Sequence, residues 1–395
     1  MPGLPPEQWR LATRLVRGGL ARTAFSETSE ALFLNSGYVY DSALESEQSF
    51  DGTRERFVYS RFRNPTVAMF EDRLALVEGA EACRATSSGM AAVHAALLCQ
   101  LRAGERVVAS RALFGSCAWI LSDLLLRFGI ETVFVDGSDL DQWRAALAKP
   151  TRTVFIETPS NPTLEMIDIP AVAELTHAAG GTLIVDNVFA TPLLQQPLAL
   201  GADIVVYSAT KHIDGQGRCL GGAILGTQAF IGDVLGPYLR HTGPCLSPFN
   251  AWVLLKGLET LELRVTRHVA NAARVAAFLD GHAAMQKVIY PGLPSHPQYA
   301  LGQSQMKGGG SIVAFEAKGG KERAFRFLDA LSLIDISNNL GDAKSLITHP
   351  WTTTHQSRSP EEKLAMGITE GMLRLSVGLE DAEDLVDDLS QALSA

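Results

Sequence analysis

Short apolar runs alternate with helix-like segments between residues 64 and 226, and this alternation limits the possible fold more than any other feature of the chain. Strands that alternate with helices build parallel sheets through right-handed crossovers, with helices on both faces. The last run, a glycine-bounded one, is predicted to be antiparallel. The predicted strands are residues 82–86, 105–110, 131–136, 151–160, 182–189, 204–207 and 221–226. The expected fold is therefore α/β, with a mostly parallel central sheet of seven strands.

Changes in pattern divide the chain into three predicted parts. Residues 1–63 form an N-terminal arm, with a helix over Glu7–Arg17 and then polar, aromatic and glycine residues without clear periodicity. Such a segment buries little core alone, so it is expected to dock on another surface. Residues 64–258 form the α/β domain. Residues 259–395 form a smaller α+β domain, which a long helical stretch from Pro248 to Phe278 joins to the part before it.

Bulk composition excludes several classes of function. The net charge of −9 over 395 residues argues against a general nucleic-acid binder. Five cysteines without a C-x-x-C spacing indicate reduced thiols in a cytoplasmic protein, and the scattered histidines give no support for a metal site. No apolar run approaches the roughly 18 residues of a membrane span, and the N-terminus lacks the apolar core of a secretory signal.

Lys211 stands just past a predicted buried strand, between small hydroxyl residues and a run of glycines. A lysine amine becomes a nucleophile when its surroundings lower its pKa, and it then forms a Schiff base with a carbonyl. For a lone lysine, an exposed position in a turn is the ordinary interpretation. The other strand ends therefore decide its role.

Several polar residues follow other strands of the predicted sheet, at the edge where ligands bind in such folds. The turn Ser88-Gly89-Met90 opens a helix, whose free N–H groups suit a phosphate. Asp186 ends an apolar strand, where a carboxylate needs a cationic partner such as a pyridinium nitrogen. Asn161 could donate to a ring hydroxyl. A helix cap, a capping aspartate and a polar turn are the separate alternatives, but together with Lys211 these residues predict a site for pyridoxal phosphate (PLP).

The segments YSRFRNPT, SSGMAA, ETPSNPT, VDN, SATKH and LRLSVGLE span nearly the whole chain. In these segments the sequence resembles the Cys/Met-metabolism family of PLP enzymes. The resemblance implies the fold type I architecture of aspartate aminotransferase, with PLP bound in the 64–258 domain. It makes Lys211 the Schiff-base lysine and Arg374 the residue that holds the substrate α-carboxylate. The implied cofactor contacts are Ser88, Gly89, Met90, Ser208 and Thr210 at the phosphate, Asp186 at the ring nitrogen, Asn161 near the ring hydroxyl and Phe114 on the ring face.

The resemblance also gives the arm a role. Tyr59 and Arg61 are expected to reach the phosphate in a neighbouring subunit, which implies shared active sites and a homotetramer built as a dimer of dimers. Tyr59 is in addition a candidate catalytic residue.

Two departures narrow the choice within the family. Phe114 occupies a place where the lyases and cystathionine γ-synthases carry a tyrosine. Phenylalanine can stack but has no hydroxyl, so a leaving group must take its proton from Tyr59 or Lys211. Asn339-Leu340-Gly341 replaces the lyases' S-L-G, and Asn339 is predicted to contact substrate. Both features resemble the sulfhydrylases that act on O-succinylhomoserine.

The expected reaction is γ-replacement, in which O-succinyl-L-homoserine and sulfide give L-homocysteine and succinate in methionine biosynthesis. Cystathionine γ-synthase and cystathionine or methionine γ-lyase activity are the alternatives within the family. A nicotinamide enzyme is disfavoured because no G-x-G-x-x-G follows the first strand, and a PLP-binding protein without turnover is a further alternative. Preference for the succinyl or acetyl ester stays open, as does the partner of the succinyl carboxylate, for which Arg54, Arg56 and Arg111 are candidates.

Overall fold

The computed structural model describes residues 5–394; residues 1–4 and 395, at the ends of the predicted arm and C-terminal domain, lie outside the described part. The α-helices are α1 (Leu11–Arg17), α2 (Ala43–Asp51), α3 (Pro65–Glu78), α4 (Gly89–Leu98), α5 (Gly115–Trp119), α6 (Leu125–Arg127), α7 (Leu140–Leu147), α8 (Ile169–Ala178), α9 (Thr191–Leu194), α10 (Gly236–Thr242), α11 (Pro248–Glu259), α12 (Leu261–Asp280), α13 (Tyr299–Gln305), α14 (Gly320–Ala330), α15 (Pro360–Ala365) and α16 (Ala382–Ser394). Single 3₁₀ turns cover Pro6–Gln8, Pro197–Leu200 and Pro350–Thr352, and π-helical turns cover Ile120–Leu124 and Phe230–Leu235.

The strands form two sheets. They are β1 (Ala82–Thr86), β2 (Arg106–Ser110), β3 (Glu131–Val135), β4 (Thr153–Glu157), β5 (Thr182–Asp186), β6 (Ile204–Ser208), β7 (Gly222–Gly226), β8 (Met285–Ile289), β9 (Ile312–Ala317), β10 (Asp335–Ile336), β11 (Leu346–Thr348) and β12 (Met372–Ser376). The seven-stranded sheet has the order β1-β7-β6-β5-β4-β2-β3. Strand β2 pairs in parallel with β3 and β4, β4 pairs in parallel with β5, and β7 runs antiparallel to β1. The predicted α/β fold with a mostly parallel sheet is confirmed.

The parallel strands are apolar along their length because the sheet is covered on both faces. All five residues of β4 are buried, and Val154, Phe155 and Ile156 are completely inaccessible. Trp143 of α7 and Val172 of α8 pack in the same core. The β4–β5 register places Glu157 opposite Asp186, so two carboxyl groups end neighbouring strands.

The second sheet has the order β10-β11-β12-β9-β8 and is antiparallel except for the β10–β11 pair. Its core includes residues of α12, α14 and α16. The rings of Phe315 and Phe327 pack edge-to-face there, with their centroids 5.9 Å apart. The β9 and β12 strands and the α14 and α16 helices match the expected α+β pattern. Strands β10 and β11 were not predicted, because two and three residues are too short to show a period.

Three segments differ from the sequence predictions. The stretch from Pro248 is interrupted at Thr260, which separates α11 from α12. The first helix begins at Leu11, after a separate turn, instead of at Glu7. The arm contains α2, which Ser42 caps by accepting the N–H of Glu45. This helix was not predicted, because its residues are mostly polar and show little apolar periodicity.

Backbone proximity groups the chain into two compact units. The first comprises the chain up to Gln100 together with Val206–Thr210 and Arg218–Thr260, and the second comprises Leu101–Val205, Lys211–Gly217 and the chain from Leu261 onward. The expected boundaries after residues 63 and 258 stay a prediction. No helix within residues 5–394 combines the length and apolarity needed to cross a bilayer.

Candidate active site

The first unit contains a helix-start group, which we define as Ser88, Gly89, Met90, Ser208 and Thr210. Helix α4 follows β1 after a two-residue turn, and the Ser88 hydroxyl caps it by accepting the N–H of Ala91 at 3.1 Å. The start of a helix carries the positive end of the helix dipole, so this end of α4 favours an anion.

Gly89 allows a close approach between α4 and the end of β6. A Cβ atom on Gly89 would lie 2.6 Å from the Ser208 Cβ and 2.8 Å from its Cα. Only glycine therefore places the helix start against the Ser208 side chain. The Thr210 hydroxyl accepts the N–H of Gly221 at 3.1 Å. The donors of this group are backbone N–H groups and hydroxyls, which fit a phosphate.

The second unit contains a lysine group, which we define as Lys211, Asn339, Arg374 and Asn161. The Lys211 Nζ donates to Asn339 Oδ1 at 2.6 Å. Burial lowers the pKa of the Lys211 amine to about 8, and the charge of Arg374 acts in the same direction. A substantial fraction of this amine is neutral near pH 8, which is the form that attacks carbonyl carbon.

Arg374 lies on β12 and is 1% exposed. Its Nη1 donates to Asn161 Oδ1 at 3.0 Å and its Nη2 to the Asn338 carbonyl at 2.9 Å, while its buried Nε has no partner. Burial lowers the pKa of the guanidinium to about 10. Within residues 5–394 neither Arg374 nor Lys211 forms an ion pair. Glu157 acts on this guanidinium electrostatically, but no carboxylate of the described chain is bonded to it, so the arrangement suits a ligand that brings one.

Two carboxyl groups lie side by side in the same unit. Asp186 accepts the N–H of Val188 at 3.1 Å, yet burial raises its pKa to about 7. Burial and then the neighbouring Asp186 charge raise the pKa of Glu157 well above its usual range. A cation beside Asp186 would favour its ionised form. A protonated pyridine nitrogen is such a cation.

Sequence reasoning missed Glu157, which is 1% exposed. Its Oε2 accepts the N–H of Phe114 at 2.7 Å, and its Oε1 accepts the N–H of Asn161 at 2.9 Å. The signal was present, because Glu157 ends the apolar strand β4 just as Asp186 ends β5.

Tyr59 and Arg61 lie in the first unit, where both are exposed. The Arg61 guanidinium donates to the Arg240 carbonyl and lies 4.9 Å from the Phe62 ring centroid. The prediction for Tyr59 and Arg61 concerns a second copy of the chain and stays a prediction.

The three candidates for the succinyl carboxylate differ in their surroundings. Arg54 and Arg56 both form ion pairs with Glu45, at 3.2 Å and 2.6 Å. Arg111 has no such pair among residues 5–394 and borders a cavity of about 670 Å³ in the second unit, together with Glu165. No group of three or more His, Cys, Asp or Glu side chains in the described chain is arranged to hold a metal ion.

Comparison with known protein families decides between the remaining interpretations. A family model described as Cys/Met metabolism PLP-dependent enzyme matches residues 12–394. The chain belongs to this family. It is therefore an enzyme, and the predicted cofactor, PLP, is confirmed.

Individual Cys/Met-metabolism enzymes are similar over almost their full length. A Mycobacterium tuberculosis protein named O-succinylhomoserine sulfhydrylase is 57% identical, with 100% of this chain and 98% of the relative covered. A Fusobacterium nucleatum L-methionine gamma-lyase is 40% identical, with 98% of each chain covered. The solved structure of a putative O-acetylhomoserine (thiol)-lyase from Campylobacter jejuni, which contains N'-pyridoxyl-lysine-5'-monophosphate, matches with a TM-score of 0.94 and 33% identity over 98% of this chain and 100% of that one. The expected fold type is confirmed.

Residues of the helix-start group, residues of the lysine group and Asp186 have the chemistry that the family's cofactor and an amino-acid ligand require. Asp186 is a buried carboxyl group whose ionised form a cation would favour, and Lys211 is a buried amine with a lowered pKa. Gly89 leaves room for the Ser208 side chain at the start of α4. Arg374 has an unpartnered buried donor. An amino-acid substrate would supply the carboxylate that this arginine lacks.

Proposed function

We propose that the protein catalyses γ-replacement on O-succinyl-L-homoserine, with sulfide as the acceptor and L-homocysteine and succinate as the products. The observation that carries this proposal is the buried Arg374, which has an unpartnered Nε, has no carboxylate from residues 5–394 bonded to it and shares with Lys211 a contact to Asn339. The 57% identity to a protein named O-succinylhomoserine sulfhydrylase supports the choice of ester and acceptor.

The proposed contacts of PLP follow the sequence predictions. They are Lys211 at the aldehyde, Asp186 at the ring nitrogen, Asn161 near the ring hydroxyl, Phe114 on the ring face and the helix-start group at the phosphate. When bound, PLP supplies an electron sink that stabilises negative charge next to the amino group of the substrate.

The side chains of this chain then bind the substrate and move its protons. Arg374 holds the α-carboxylate through its guanidinium fork. The Lys211 amine takes the proton from Cα, and its pKa of about 8 suits a base that works near neutral pH. Asn339 Oδ1, 2.6 Å from Nζ, fixes the direction of the amine. Phe114 cannot donate a proton to succinate as it leaves Cγ, so Lys211 or Tyr59 of a second copy supplies it.

The proposal includes a homotetramer made of two dimers with shared active sites, acting in the cytoplasm. The arm exposes large apolar side chains, with Phe25 92% and Val39 89% exposed, and Tyr59 is 40% exposed. Contact with a second copy would remove these surfaces from water. None of the five cysteines is in a disulfide, as a reducing compartment requires.

The test compares the O-succinyl and O-acetyl esters of L-homoserine, each with sulfide and with L-cysteine as the acceptor, in steady-state assays of the purified protein. The proposal expects kcat/KM to be highest for O-succinyl-L-homoserine with sulfide, and homocysteine to be the product. Faster formation of cystathionine from L-cysteine would favour cystathionine γ-synthase instead. Release of 2-oxobutanoate and ammonia from L-methionine as the main activity would favour the lyase, which the 40% identical Fusobacterium nucleatum relative keeps as the second candidate.

A further inference from the structure

Glu157 anchors two loops that carry proposed cofactor contacts. Its carboxylate ends β4, is almost completely buried, and uses one oxygen for the Phe114 N–H at 2.7 Å and the other for the Asn161 N–H at 2.9 Å. Phe114 belongs to the segment after β2, and Asn161 to the turn after β4. A single side chain therefore fixes the backbone of both loops.

The anchored turn also holds the substrate arginine. Asn161 Oδ1 accepts from Arg374 Nη1 at 3.0 Å, so the position of the Asn161 backbone sets the position of a guanidinium partner. We propose that Glu157 is a positioning residue, which holds Phe114 against the cofactor ring and Asn161 between the ring and Arg374. This inference rests on the proposed function of those residues.

A carboxyl group can satisfy both backbone donors. It has lone pairs on both oxygens, whether or not it is protonated, whereas a glutamine has one acceptor oxygen and presents an NH₂ group to the second N–H. Glu157→Gln therefore leaves one buried N–H without a partner while keeping the side-chain volume. A buried N–H group without a hydrogen-bond partner costs more free energy than a formed hydrogen bond contributes net. The loop that carries this N–H is therefore expected to move.

The first test measures amide hydrogen exchange in the cofactor-free Glu157→Gln protein. Exchange at the Phe114 or Asn161 amide is expected to be at least about tenfold faster than in the wild type. Asp388→Asn is the matched control, because Asp388 is another buried carboxylate that accepts backbone N–H groups, from Ser332 and Leu333 at 2.8 and 3.0 Å, and it lies on α16. This control should leave exchange at Phe114 and Asn161 unchanged. Unchanged exchange at both amides in Glu157→Gln would overturn the inference.

The second test uses the cofactor-loaded enzyme and separates positioning from general stability. Glu157→Gln should shift the visible absorption band or its pH midpoint and raise KM for the amino-acid substrate about tenfold. Asp388→Asn should lower only the melting temperature. A Glu157→Gln enzyme with an unchanged spectrum and KM would contradict the inference.

If Glu157→Gln does not fold, Glu157→Asp is tested instead, because it keeps the carboxyl group on a shorter side chain. Exchange at the Phe114 or Asn161 amide should then be faster in Glu157→Asp, and unchanged exchange would equally overturn the inference. Failure of the inference is distinguishable from failure of the proposed function. The exchange measurement needs no turnover, whereas an enzyme that makes no homocysteine would refute the function whatever Glu157 does.

Discussion

Two buried arginines, Arg73 and Arg374, differ in the groups that are bonded to them. Arg73 of the first unit is inaccessible and lies 2.5 Å from Glu30 and 3.6 Å from Glu259, while Lys256 also contacts Glu30. Although burial alone would raise the pKa of Glu30, hydrogen bonds from Lys256 and Arg73 hold it below its usual value. The network neutralises its own charges, so it needs no ligand.

Arg374 of the second unit meets only neutral oxygens, from Asn161, Asn338 and Asn339, and keeps one donor unused. Lys211 is likewise held by a neutral amide oxygen. The comparison shows that burial of a cation is not in itself a sign of function. A buried guanidinium with no carboxylate bonded to it indicates that the bonding anion arrives with a ligand.

Arg374→Lys gives the largest expected effect on activity. The lysine keeps the charge but cannot reproduce the fork that contacts Asn161 and binds a carboxylate at two points. We expect kcat/KM for the amino-acid substrate to fall by about 100-fold or more, mainly through KM, with a small change in melting temperature. Steady-state kinetics and thermal unfolding measure the two quantities. A large loss of stability with unchanged KM would make Arg374 structural, like Arg73.

Arg73→Met is expected to show the reverse behaviour. Removing the arginine leaves the buried Glu30 with only Lys256, so the free energy of unfolding should fall by about 3–5 kcal/mol. The protein that remains folded should keep its KM and kcat. Denaturant unfolding and kinetics at low temperature would check this, and a rise in KM without destabilisation would remove the distinction between the two arginines.

The pH dependence of Lys211 gives the smallest expected effect. Its pKa is lowered to about 8, so the reactive neutral amine increases as the pH rises through 8. The rate at which PLP binds covalently to the cofactor-free protein should rise over the same range. Arg374→Leu removes a neighbouring positive charge and should move the midpoint upward, whereas Arg374→Lys should not. A midpoint that is equal in all three proteins would show that Arg374 does not act on this amine.

The strands and the strand-end residues could be predicted from the sequence because both depend on local pattern. A strand buried on both faces is a continuous apolar run, and the residue that follows it lies at the ligand-binding edge, which identified Lys211, Asp186 and Asn161. The contacts that depend on distant pairing could not be predicted. Glu157 ends its apolar strand as Asp186 does, so its place at this edge could be read from the sequence, but its bonds to the Phe114 and Asn161 N–H groups could not.

Other misses have the same origin. The arginine candidates for the succinyl carboxylate could not be ranked, because the ion pairs that Arg54 and Arg56 form with Glu45 appear only in three dimensions. Strand β11 pairs with β12, and β10 pairs with β11, so both form through pairing, whereas their own sequences show no period.

The central claim is that Lys211 is the residue to which PLP is covalently bound. The direct measurement is reduction of the purified, cofactor-loaded enzyme with borohydride, followed by proteolysis and mass spectrometry of the peptides. The account predicts one phosphopyridoxyl group, on Lys211, and none in a Lys211→Ala protein treated in the same way. A phosphopyridoxyl group on any other lysine of the wild-type protein, or none on Lys211 after reconstitution with PLP, would contradict it.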